Sequence, residues 1–141
     1  MIRTALCAAA LLAALAAPAA AGFETDTIAT SAGDLAITFI GHGTLMFTVG
    51  GRTVHVDPWT RLADYSALPK ADLVLLTHAH RDHLDPDALA AVRTEATAVV
   101  MPAVCAEDVE SGVVMGNGET AEAAGFAIEA VPMYNIVHLR N

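Results

Sequence analysis

"LLTHAHRDHLD", Leu75 to Asp85, sets three of the chain's six histidines into six consecutive positions. His78, His80 and His83 surround Asp82, and an apolar run leads into them. "DLVLLTH" reads as a strand with the continuous apolar character of a sheet covered on both faces. His78 and His80 stand two apart at its end, so in extended backbone they project to the same side. That arrangement suits two imidazoles on one zinc ion, whose ligands sit about 2 Å from the metal. Asp82 and His83 are adjacent and cannot share that face unless the chain turns. A turn would set both beside the first metal, as ligands for a second. Two neighbouring zinc ions bridging a hydroxide and polarising a carbonyl or phosphoryl oxygen are hydrolytic chemistry. The competing readings are a polar loop that happens to be rich in histidine, and a metal site without catalysis.

Around this core the chain reads as one α/β layered domain. Upstream, a polar leader (Phe23 to Gly33) gives way to "LAITFIG", "TLMFTV" and "TVHVD", three closely spaced strands expected to form an antiparallel meander turning at "GGR". "PWTRLADYSALPKA" is a loop, and its Trp59 and Tyr65 are expected to reach toward substrate. Downstream, "DPDALAAVR" carries a capping Asp85 and Pro86 at the first helical position, which predicts a helix. "ATAVVMP" reads as a strand and "AVCAEDVE" as a short helix. "GVVM", the turn "GNGE" and "FAIEAVP" complete the pattern. His55 is expected to be a solvated strand residue.

The first 21 residues read as an export signal: Arg3, an apolar run to about Ala17, Pro18, then Ala19-Ala20-Ala21 as a small-x-small cleavage site. Cleavage after about Ala21 would leave residues 22–141 as a single secreted, periplasmic domain with no stable membrane anchor, because the apolar run is shorter than a bilayer span. Loss of Arg3 makes the formal charge of −9 one unit more negative. So acidic a surface repels phosphate backbones and argues against nucleic acid as a partner. Cys7 leaves with the signal, and Cys105 remains alone as a small buried residue, so no internal disulfide can form.

His78-Ala79-His80-Arg81-Asp82-His83 resembles the HxHxDH signature of the metallo-β-lactamase superfamily. "ITFIGHGTLMFTVGGRTVHVDP" followed by "ADLVLLTHAHRDHLDPDAL" is similar to the branch that contains ascorbate-phosphate lactonase and N-acyl-phosphatidylethanolamine phospholipase D. The resemblance runs from about Leu35 to Asn135. It implies an αββα sandwich with a dinuclear zinc site at the sheet edge. His78 and His80 would hold the first zinc, Asp82 and His83 the second, with Asp82 orienting the attacking water. The implied reaction is attack by a metal-activated hydroxide on an ester, lactone, amide or phosphodiester bond of a small-molecule or lipid-like substrate. Asp57 resembles the family's Asp that supports a metal-binding histidine, with a turn-forming Asp before Pro58 as the alternative. His42, in "GHGT", would line the site or hydrogen-bond a ligand loop, unless it is an ordinary turn histidine.

The family pattern also calls for a further histidine on the first metal, a bridging Asp and a last histidine on the second. After His83 only His138 remains, and it is the candidate third ligand, with a surface histidine as its alternative. The chain is therefore expected to be the N-terminal half of such a hydrolase. On its own it is expected to bind zinc weakly and to hydrolyse little, since a catalytic zinc generally needs three protein ligands. The rival is a non-catalytic or vestigial metal-binding fragment.

Overall fold

A computed structural model describes residues 22–133. The export signal, Cys7 and His138 lie outside the described residues. Four strands open the fold as an antiparallel meander: β1 (Glu24–Thr30), β2 (Gly33–Gly41), β3 (Thr44–Val49) and β4 (Arg52–Val56). The β3–β4 turn is made by Gly50 and Gly51, both with positive φ (56° and 76°), the two-residue geometry whose twist matches a hairpin. The segment expected to be a polar leader is instead β1, paired with β2 along its full length from Glu24↔Phe39 to Thr30↔Gly33. Every residue of β1 is exposed, so no apolar alternation marks it in the sequence; the ladder to β2 supplies its order.

The chain then switches to parallel pairing. β5 (Leu73–Leu75) lies beside β4, β6 (Ala98–Met101) beside β5, and β7 (Val113–Val114) beside β6. The seven strands follow sequence order across the sheet. Helix α1 (Pro86–Val92) makes the crossover between β5 and β6 and buries Ala88, Leu89 and Val92. Asp85 caps it as expected, accepting from the amides of Asp87 (3.0 Å) and Ala88 (3.3 Å). The segment expected to be a second helix tightens to a single 3-10 turn, Ala103–Cys105, with Cys105 fully buried.

Side-chain alternation gives the sheet two apolar faces. One packs Ile40, Met46, Val74 and Val99 against α1 and Tyr65. The other packs Val54, Leu73 and Val100 against Met115 and a two-stranded hairpin, β8 (Thr120–Ala123) and β9 (Phe126–Glu129). His55 is not solvated. It stands between Met46 of β3 and Val74 of β5 on the α1 face, with no exposed surface. Tyr65 is also buried (2% exposed), so it does not reach toward substrate; its hydroxyl accepts the Trp59 amide at 3.0 Å and holds the 58–69 loop in place.

Candidate metal centre

The paired part of β5 stops at Leu75, three residues before the His78 that closes the expected strand. The cause lies at the end of the neighbouring strand β4. Asp57 follows β4 in the left-handed region (φ 46°), its amide donating to the Leu75 carbonyl at 3.0 Å. Its buried carboxylate then takes the Thr77 amide at 2.8 Å and the Thr77 hydroxyl at 2.5 Å, in place of a ladder partner. Freed from the sheet, the chain coils tightly, with the amides of His83 and Leu84 both donating to the His80 carbonyl.

This coil brings the histidines together. The expectation that His78 and His80 meet by strand alternation fails, because both lie beyond the paired strand. They meet nevertheless: His78 Nε2 and His80 Nδ1 are 3.1 Å apart and the rings are edge-on. His83 packs against His78 with ring centroids 4.0 Å apart. His83 Nδ1 donates to Asp57 Oδ2 at 2.8 Å. His42, from the β2–β3 turn, reaches Asp82 Oδ2 at 2.9 Å through Nε2. His83 Nε2 is 3.7 Å from the same oxygen. Six residues marked in the sequence (His42, Asp57, His78, His80, Asp82 and His83) thus converge from three segments.

Hydrogen bonding assigns tautomers within the cluster. The Thr77 hydroxyl donates its one proton to Asp57, so it can only accept from His78 Nδ1, 2.9 Å away. That leaves His78 Nε2 as the unprotonated nitrogen, facing His80 Nδ1 at 3.1 Å. His83 likewise spends Nδ1–H on Asp57 and presents Nε2. Asp57 takes three donors on its two oxygens and orients the histidines through them. Thr77 escaped the sequence reading; its place directly before the first histidine, in "THAH", was the available signal.

The electrostatics suit a cation. The His78 imidazole is held below its usual pKa by burial, and then by the neighbouring His83 and His80, which keeps a lone pair available. The Asp82 carboxyl is also held low, first by its own backbone amide, which outweighs desolvation, with the His42 hydrogen bond adding to it, so it stays anionic. Two sets of three donor atoms lie within 4.8 Å of one another: His42, Asp82 and His83, and Asp57, His78 and His83. Imidazole nitrogens with a carboxylate are a fitting donor set for zinc or a similar divalent ion. These residues fit the group that the sequence implied.

Two cavities flank the cluster. One of about 710 Å³ runs beside His78 and His80 over the apolar side chains of Leu75, Val100, Met115 and Ile128. The other, of about 680 Å³, lies past Trp59 and carries Arg61 and Arg81 with Asp85, Asp87 and Asp108. Trp59, expected to reach toward substrate, stands between His42 (centroids 5.8 Å apart) and the Arg61 guanidinium (5.5 Å).

A family model described as "Beta-lactamase superfamily domain" matches residues 36–140. A UPF0173 metal-dependent hydrolase of Cupriavidus taiwanensis is 39% identical over 100 residues, covering 62% of this chain and 34% of that protein. Another, from Methanopyrus kandleri, is 33% identical over 112 residues, covering 70% of this chain and 46% of its own length. The crystal structure of a Parabacteroides distasonis protein described as a metal-dependent hydrolase is similar with a TM-score of 0.77 at 42% identity, over 82% of this chain and 53% of that one. The chain spans about half the length, or less, of these proteins.

Proposed function

The chain belongs to the beta-lactamase superfamily, and from that premise we propose that it carries the HxHxDH half of a secreted, zinc-dependent hydrolase. Its α/β fold is that of the metallo-β-lactamase proteins. One observation carries the reading: Asp57 fixes two of the clustered histidines, His83 directly and His78 through Thr77, with Nε2 of each turned away from the support. A cluster that merely decorated a loop would have no need of a buried carboxylate to set its tautomers.

In this reading His78 and His80 hold one zinc and Asp82 and His83 contribute to a second. When bound, such ions supply Lewis-acid polarisation of a carbonyl or phosphoryl oxygen and make a nearby water more acidic. The chain's own groups do the rest. Asp82, anionic and partly open to solvent (38% exposed), would orient the attacking water. The apolar cavity beside His78 and His80 suits the hydrophobic part of an ester, lactone, amide or phosphodiester, which favours the lactonase and phospholipase-like branch. The negative charge disfavours nucleic acid. No helix among the described residues is long and apolar enough to cross a membrane.

The test uses the full natural protein loaded with zinc and a panel of nitrophenyl acyl esters, N-acyl lactones and a bis(nitrophenyl) phosphate. Turnover of at least one substrate, lost on chelation and in His80→Ala, is expected. A folded, zinc-loaded protein inert toward the whole panel would favour the non-catalytic metal-binding reading instead.

A further inference from the structure

The turn Gly41-His42-Gly43 is built with more care than a hairpin connection requires. The β2–β3 register shifts between Phe39 and Gly41, inserting one extra residue before the turn. His42 itself sits in the left-handed region (φ 51°), a conformation that costs a non-glycine residue free energy and persists where surrounding structure demands it. A Cβ on Gly43 would stand 2.9 Å from His83 Cε1, so only glycine lets the His83 ring lie against this turn. The outcome is that His42, 41 positions before His83, has its ring 5.3 Å from the His83 ring and its Nε2 2.9 Å from Asp82.

We propose that His42 is a metal ligand, completing a three-donor site with Asp82 and His83. The inference rests on the reading of this cluster as a metal centre. Ligands about 2.0–2.1 Å from a tetrahedral zinc stand about 3.3 Å from one another. The separations across the Asp82 oxygen, 2.9 Å to His42 and 3.7 Å to His83, straddle that value. All three donor atoms lie within 4.8 Å of one another. His83 presents Nε2 because Asp57 holds Nδ1, and His42 points Nε2 at the same carboxylate. The contact His42 now makes with Asp82 is the one a cation would replace, with both atoms turned on the ion in place of a shared proton. His42 comes from the β2–β3 turn, outside the HxHxDH segment, so this site joins two parts of the chain distant in sequence.

The experiment is NMR of the full natural protein loaded with ¹¹³Cd, reading scalar coupling from the metal to the imidazole ring protons, with His42 assigned by loss of its signals in His42→Gln. Coupling to His42 as well as to His83 is expected, and His42→Gln, which keeps a side-chain donor for Asp82, is expected to bind one fewer cadmium per chain. Coupling to His78, His80 and His83 without His42, or full stoichiometry in His42→Gln, would overturn the ligand role and leave the metal centre standing. No coupling to any histidine would overturn both.

Discussion

His83 Nδ1 donates to Asp57 Oδ2 at 2.8 Å, and the same oxygen accepts the Thr77 hydroxyl that in turn holds His78. One buried carboxylate therefore orients two imidazoles 26 and 21 positions away in the chain. Partners of this kind typically contribute 10–100-fold to metal affinity. Asp57→Asn keeps the size but replaces one acceptor oxygen with a donor, and it is expected to weaken zinc binding by about that factor. Thr77→Val should do less, because it frees only His78. Competition with a chromophoric chelator measures both, and equal losses in the two variants would contradict the relay.

His55 supplies a pH prediction away from the cluster's ligands. Its Nε2–H donates to the Pro69 carbonyl at 3.0 Å, while Nδ1 has no partner among the described residues. Burial holds its pKa below that of an ordinary histidine, with the Pro69 bond opposing. The unfolded chain thus takes up the proton first as pH falls, so stability is full above about pH 6.5 and declines below it. Denaturant titrations of wild type and His55→Gln between about pH 7.5 and 5 should show a shallower decline in the variant. Parallel declines would mean that His55 does not titrate on unfolding.

Much of this is legible in the sequence. The Asp85-Pro86 helix start, the Gly50-Gly51 turn and the crowding of His78, His80 and His83 are local signals, each written within a few residues. What escaped depends on contacts distant in sequence. β1 is polar on both faces and gains its order only from β2. The alternation of β4 is compatible with either face inward, and it is the parallel neighbour Val74 that buries His55. Tyr65 lies in a loop, where exposure is the ordinary expectation, yet it folds back under Trp59. Strand alternation predicts the facing of His78 and His80, whereas Asp57 ends the strand and sets it.

Asp85 performs two tasks with one carboxylate. Oδ1 caps α1, and Oδ2 accepts the amide and hydroxyl of Thr60, at 2.9 and 2.6 Å. Losing an N-cap costs about 0.5–2 kcal/mol, and the stranded Thr60 donors add to that. Asp85→Ala is expected to lower stability toward the top of that range, about 2 kcal/mol, by chemical denaturation. It should also loosen the 58–69 loop, which the fluorescence of Trp59, the chain's one tryptophan, reports directly. A stability loss with unchanged emission would show that Thr60 does not tie the loop to the helix.

Gly43 offers the sharpest separation of site from fold. Its φ is outside the left-handed region, so alanine imposes no backbone penalty there; the obstacle is the His83 ring, 2.9 Å from where a Cβ would stand. The ring cannot yield without disturbing its 2.8 Å bond to Asp57 and its distance to Asp82. Gly43→Ala should cost the metal-free protein only about 1 kcal/mol of unfolding free energy, the ordinary size for a single substitution. Zinc affinity should fall about tenfold or more, as it does when a ligand's orientation is disturbed. A matched pair of measurements, denaturation without metal and chelator competition with it, decides the matter: loss of stability with affinity intact would place the importance of Gly43 in the hairpin and not in the seat it provides for His83.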